Sequence, residues 1–96
     1  MTEAAIRQEL KSLIIESLNL EGYTPDRIGD DMPLFGEGLG LDSVDALELV
    51  LALERHYGLE IQPHEMDRAV FTSVNTLGGF VARRMEASNG SRQDGR

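Results

Sequence analysis

Ninety-six residues form one domain, with no room for two hydrophobic cores. The chain is 41% hydrophobic and 27% charged and contains no cysteine. That balance suits a globular chain rather than a disordered one, and it excludes disulfides, thiolate metal sites and a thiol nucleophile of the chain's own. Seventeen Asp and Glu against nine Lys and Arg leave a formal charge of −8. This argues against nucleic acid or an anionic membrane as the main partner, and makes basic protein surfaces the natural complement.

Ile6, Leu10, Leu13, Ile14 and Leu18 recur at steps of three and four, so the spacing predicts a helix over 3–18 with Thr2 as its N-cap. Residues 19–42 have no sustained period and hold Gly22, Pro25, Gly29, Pro33, Gly36, Gly38 and Gly40. A connection this long inside a compact domain is normally functional. Its apolar residues Leu20, Tyr23, Ile28, Met32, Leu34, Phe35, Leu39 and Leu41 are expected to pin it to the core as an ordered loop. Asp42 or Ser43 can cap a second helix over 43–57, which Gly58 stops. Leu59 and Ile61 flank Glu60 like a strand, in a segment too short to pair alone. Pro63 suits the first turn of a short helix over 63–69, and Thr72-Ser73 can cap a last helix over 73–86. Gly78-Gly79 costs that helix about 1 kcal/mol per glycine relative to alanine. The polar residues 88–96 are expected to form a disordered tail after a domain spanning 1–87. The expected fold is therefore all-α, a small four-helix bundle of three main helices and one short one, with a long ordered loop between the first two. No apolar run approaches the roughly 20 residues of a membrane span. Residues 1–7 lack the apolar region of a signal peptide, and the cytoplasm is the expected location.

Most enzyme motifs fail. Gly36-Glu37-Gly38-Leu39-Gly40 lacks the Gly-Lys-Ser/Thr ending of a phosphate-binding loop and the strand before it, and Glu37 and Asp42 would repel a phosphate. Residues 31–42 put Gly36 where a calcium loop needs it, but Pro33 and Phe35 stand where oxygen ligands belong. Ser43 and His56 sit thirteen residues apart on one helix, roughly 20 Å, so they cannot form a nucleophile–base pair. What is left is a serine opening an acidic helix. From Ile28 to Glu54 the charges are Asp30, Asp31, Glu37, Asp42, Asp45, Glu48 and Glu54, without one Lys or Arg. A solvated face and a docking surface for basic partners are both open readings of that run.

The stretch Gly40-Leu41-Asp42-Ser43-Val44-Asp45-Ala46-Leu47-Glu48-Leu49-Val50 resembles the phosphopantetheine attachment motif of acyl carrier proteins. Asp31-Met32-Pro33-Leu34-Phe35 before it, the continuation through Ile61, and Phe71-Thr72-Ser73-Val74 with Leu77 and Phe80-Val81 fit the same family, so the resemblance covers about residues 3–86. Three departures stand out: Val44 where the family most often has Leu, Glu54-Arg55-His56 where many fatty-acid carriers continue acidic, and the long glycine-rich loop over 36–40. They bear on the partner enzymes rather than on the carrier role, and suggest a specialised or secondary-pathway carrier.

The resemblance implies that Ser43 carries a covalent 4′-phosphopantetheine arm taken from coenzyme A by a phosphopantetheinyl transferase, with Asp42 capping the helix and meeting that enzyme. Acyl groups would ride on the arm as thioesters, delivered to fatty-acid or polyketide type enzymes. Such a chain supplies no catalysis of its own and needs no metal. Asp45, Glu48, Glu54, Val44 and Leu47 become the expected docking residues for acyl-loading and ketosynthase-type enzymes with basic patches. Ala46, Leu49, Leu53, Phe71, Val74 and Leu77 are candidates to line an acyl cleft, or simply core. A monomer is the default expectation. A peptidyl or D-alanyl carrier, and an unmodified acidic module that binds a basic protein, are the alternatives.

Overall fold

The structure, a computed structural model, describes the backbone of residues 2–94 and the side chains of residues 2–86. It is all-helical, with three α-helices and, among the described residues, no strand: α1 Glu3–Leu18, α2 Ser43–Tyr57 and α3 Val74–Asp94. The expected bounds of α1 and α2 are met. Thr2 Oγ1 accepts the Ala5 amide, and α1 ends where Asn19 turns left-handed at φ 54°. Gly58 closes α2 in the same way at φ 65°. The last helix, expected over 73–86, starts at Val74 and its backbone continues to Asp94, through most of the stretch 88–96 expected as a disordered tail.

The fourth helix does not form as expected. Over 63–69 the chain makes only a 3-10 turn, Pro63–Glu65. Met66 leaves the helical region at φ −83° and ψ 62°, and the Asp67 carboxylate then captures the Ala69 amide. The Val70 and Phe71 amides fold back onto the Asp67 carbonyl. A short acidic side chain that bonds its local backbone offers a turn in place of a helix. A second 3-10 turn, Pro25–Arg27, interrupts the long loop.

One core joins the three helices. It takes Ile6, Leu10 and Ile14 from α1, Leu49, Val50 and Leu53 from α2, and Val74, Leu77, Phe80 and Val81 from α3. The long loop is ordered around it. Ile28, Leu34 and Leu41 are buried in the same cluster, while Leu20, Tyr23, Phe35 and Leu39 pack on its edge. Polar contacts add to this. Lys11 Nζ lies 2.7 Å from Asp30 Oδ1, and Arg7 Nε lies 3.5 Å from Asp30 Oδ2. The hydrogen bond from Lys11 is the main force holding the Asp30 carboxyl below its ordinary value. The Asn75 amide, at the start of α3, donates to the Asp30 carbonyl at 2.8 Å, so one loop residue ties α1 to α3.

The last part of the loop turns tightly before α2. The Leu39 amide donates to the Pro33 carbonyl and the Leu41 amide to the Leu34 carbonyl, each at 3.0 Å. Gly36 and Gly40 sit at φ 67° and 74°, and a Cβ on Gly38 would overlap the Pro33 carbonyl oxygen. This turn delivers residues 41–43 to one side of an open cavity.

Candidate functional site

Asp42 is the N-cap of α2, in extended backbone. Its Oδ1 accepts the Asp45 amide at 3.0 Å, and Asp45 Oδ2 accepts the Asp42 amide at 3.1 Å. This reciprocal box satisfies two of the donors that every helix start leaves open. The Ala46 amide bonds the Asp42 carbonyl. The amides of Ser43 and Val44 are left without an intrahelical partner. Ser43 is the first helical residue, it is exposed, and its hydroxyl bonds to no group among the described residues.

Ser43 and Asp42 border a cavity of about 780 Å³. Pro33, Phe35, Gly36 and Leu41 line it from the glycine turn, Ala46 from α2, and Met66, Asp67, Arg68, Phe71 and Thr72 from the segment before α3. An amphipathic arm attached at a free, exposed hydroxyl fits here. Two open amides and the positive end of the helix dipole favour a phosphate at that position, and a partly apolar cavity adjoins it. Such an arm would supply a thiol, which this cysteine-free chain lacks.

The six cleft candidates separate into two groups. Ala46 and Phe71 line the cavity. Leu49, Leu53, Val74 and Leu77 are fully buried in the common core and do not. The docking candidates separate as well. Val44 and Leu47 are exposed at 66% and 53%, and Leu51, a residue that the sequence reading left out of the site, continues the stripe at 50%. Residues 44, 47 and 51 follow helical spacing, so they share one face. Glu48 is exposed and its carboxylate makes no bond among the described residues. Asp45 is committed to the capping box, and Glu54 accepts the Ile61 amide at 2.9 Å. Those two acids hold the ends of α2 in addition to charging its surface.

Sequence reasoning missed Met66, Asp67 and Arg68, because the segment that carries them was expected to be helical. It excluded a Ser43–His56 pair. In the structure His56 Nε2 instead lies 3.6 Å from Glu9 Oε1 on α1, and Glu9 also accepts the Tyr57 hydroxyl at 3.0 Å. Burial, reinforced by that carboxylate, pushes the Tyr57 hydroxyl well above its ordinary range. No group of three or more His, Cys, Asp or Glu among the described residues could hold a metal ion, and none of their helices is long and apolar enough to cross a membrane.

The fold and site together define a small helical domain that offers a hydroxyl at a helix start. Comparison with known proteins says what class that is. Residues 8–83 match the phosphopantetheine attachment site family. The chain is 38% identical over 68 residues to an acyl carrier protein of Sulfurovum sp., covering 71% of this chain and 84% of the relative. It is 36% identical over 77 residues to an acyl carrier protein of Wolinella succinogenes, covering 80% and 90%. It is 35% identical over 81 residues to acyl carrier protein 2 of Ralstonia nicotianae, covering 84% and 89%. The chain belongs to the acyl carrier protein family. Its prosthetic group is a covalent 4′-phosphopantetheine, its role is that of a non-catalytic carrier, and its partners are a phosphopantetheinyl transferase and acyl-processing enzymes.

Proposed function

We propose that Ser43 is the attachment residue and that the chain carries acyl groups as thioesters to fatty-acid or polyketide type enzymes in the cytoplasm. The observation that carries this is the Ser43 hydroxyl itself, exposed and free of partners at the first position of α2 and on the rim of the cavity. In the loading step Ser43 Oγ bonds to the pantetheine-bearing phosphorus of coenzyme A. The bond from that phosphorus to the bridging oxygen breaks, adenosine 3′,5′-bisphosphate leaves with that oxygen, and the hydroxyl proton passes to a base of the transferase. Asp42 keeps the first turn formed through its bond to the Asp45 amide.

Docking falls to the exposed face of α2. Val44, Leu47 and Leu51 offer apolar contact and Glu48 a free carboxylate, with Asp45 and Glu54 adding charge at either end. A net charge of −8 steers basic partners, with a reach of about 8 Å at physiological ionic strength. An acyl chain can rest against Ala46 and Phe71 as the structure stands. To enter the core it would have to part Leu49, Leu53, Val74 and Leu77, which are closed on one another.

The test is the intact mass of apo protein incubated with coenzyme A, Mg²⁺ and a broad-specificity phosphopantetheinyl transferase. Wild type gains one phosphopantetheine and Ser43→Ala gains none. Equal gain on both would place the arm on another residue and sink the assignment. Loading the product with acyl and aminoacyl donors then separates an acyl carrier from a peptidyl one.

A further inference from the structure

The cavity beside Ser43 contains one cation. Arg68 is the single Lys or Arg along its lining, and it enters from the turn before α3, not from α2. Most other cations of the described residues are already engaged. Arg7 and Lys11 face Asp30, Arg84 pairs with Glu65, and Arg27 donates to the Gly22 carbonyl while stacking over Tyr23. Arg68 is exposed and forms no ion pair among the described residues. Two acids share that lining, Asp42 and Asp67; neither is ion-paired with Arg68, and one oxygen of each accepts a backbone amide, that of Asp45 and that of Ala69.

A phosphate on Ser43 would find no other cation along the cavity lining. Attachment of the arm adds a phosphodiester anion next to Asp42, in a stretch from Ile28 to Glu54 without any Lys or Arg. The helix start alone favours an exposed anion only modestly, within its first turn. A guanidinium meets two phosphate oxygens at once, and an ammonium cannot reproduce that geometry. We propose that Arg68 is a positioning residue for the attached arm: it pairs with the phosphodiester on Ser43 and bridges the start of α2 to the turn over 66–72. This rests on the Ser43 reading and extends it. Ser43 and Arg68 both line the cavity, so pairing holds the first part of the arm against it instead of leaving it in solvent.

The experiment compares apo and holo forms of wild type, Arg68→Lys and Arg68→Ala. It reads the mass gain, the Arg68 side-chain Nε–H resonance, the arm's ³¹P resonance and the melting temperature. In wild type, attachment moves the Arg68 Nε–H signal, and Arg68→Ala shifts the holo ³¹P signal. The holo-minus-apo melting difference is about 2–4 °C smaller in Arg68→Ala than in wild type, with Arg68→Lys in between. A merely structural Arg68 would lower apo and holo melting equally. Equal lowering, with an Arg68 signal unmoved by attachment, overturns the proposal and leaves Ser43 as the attachment site. No mass gain on wild type, or an equal gain on Ser43→Ala, overturns both.

Discussion

A serine stands at the start of two helices of this domain, Ser43 as the first residue of α2 and Ser73 just before α3, and the two starts are built in opposite ways. At α3, Ser73 is 3% exposed and its Oγ accepts the Thr76 amide, while the Ser73 amide donates to Thr76 Oγ1. Thr76 Oγ1 also donates to a backbone carbonyl, with those of Val70 and Ser73 both within reach. Asn75, between Ser73 and Thr76, is tied to the loop through the Asp30 carbonyl and the Asp31 carboxylate. At α2 the same structural work is done one residue earlier, by Asp42 with Asp45. Because the aspartate caps the helix, the serine does not have to. A hydroxyl that caps a helix is a structural part, and one that stands just inside a helix capped by its neighbour is available for chemistry.

The first prediction separates the two serines. Ser43→Ala abolishes phosphopantetheine attachment and changes stability by no more than about 0.5 kcal/mol, as exposed sites usually do. Ser73→Ala does the reverse: attachment proceeds, and the lost cap costs about 1 kcal/mol. Mass spectrometry and urea denaturation on both variants measure this. A Ser73→Ala protein that folds normally but resists the transferase would break the contrast.

A second prediction concerns what aims the α2 start. The turn over 33–41 needs Gly38, since a Cβ there meets the Pro33 carbonyl oxygen, which is backbone and cannot step aside. Gly38→Ala is expected to cost about 1–3 kcal/mol through forced displacement. The amide resonances of residues 33–43 move and those around Ser73 and Thr76 stay. An undisturbed spectrum at full stability would mean that the turn is looser than this packing implies.

Acid should weaken the bonds that tie Asp30 of the long loop to α1 and Glu65 of the 3-10 turn to α3. Asp30 is held below its ordinary value chiefly by the hydrogen bond from Lys11. Glu65 is held low chiefly by the Gln62 amide and then by Arg84, which reaches it at 2.6 Å from α3. Both folded-state values are depressed, so the unfolded chain takes up more protons as pH falls. Their contribution is full above about pH 5 and is lost as the pH drops through 4 and below. Urea midpoints at pH 7 and pH 3.5 should therefore fall on acidification, and fall less in Asp30→Asn. An equal acid loss in that variant would remove Asp30 from the account.

The contrast between the two helix starts also marks how much of the molecule was legible in the sequence. The bounds of α1 and α2 were readable because cap, apolar period and stop signal agree locally at Thr2, Asp42 and Gly58, while the left-handed turn of Asn19 that ends α1 is seen only in the structure. Ser43 was readable by its resemblance to a family motif, and its freedom from bonds only by geometry. The spacing of Asp42 and Asp45 carries the capping box, yet Asp45 was read as a docking charge, because charge and cap use the same residue type. Glu54 could not be read as a brace, since its partner is the Ile61 amide beyond the end of the helix. The helix expected over 63–69 failed because Asp67 bonds its own turn. With it went any view of the cavity, whose two walls lie some thirty residues apart in sequence and meet only after the core has formed.

The smallest effect tests how tightly the α3 side is closed. Gly78 and Gly79 are adjacent and both cost helix propensity, but their surroundings differ. A Cβ at Gly79 meets only the end of the flexible Arg83 side chain, at 3.6 Å. A Cβ at Gly78 stands 3.1 Å from Arg7 Cγ, and Arg7 also faces Asp30. Gly79→Ala should therefore stabilise the domain by about 0.5–1 kcal/mol, through reduced freedom of the unfolded chain and better helix propensity. Gly78→Ala should gain less or lose, because the new methyl pushes Arg7 away from the carboxylate of Asp30, the residue that links α1 and the loop through its side chain and α3 through its carbonyl. Urea midpoints decide it. Equal gains at both positions would mean that Arg7 yields freely and that the α3 start rests on Lys11 and the Ser73–Thr76 bonds without it.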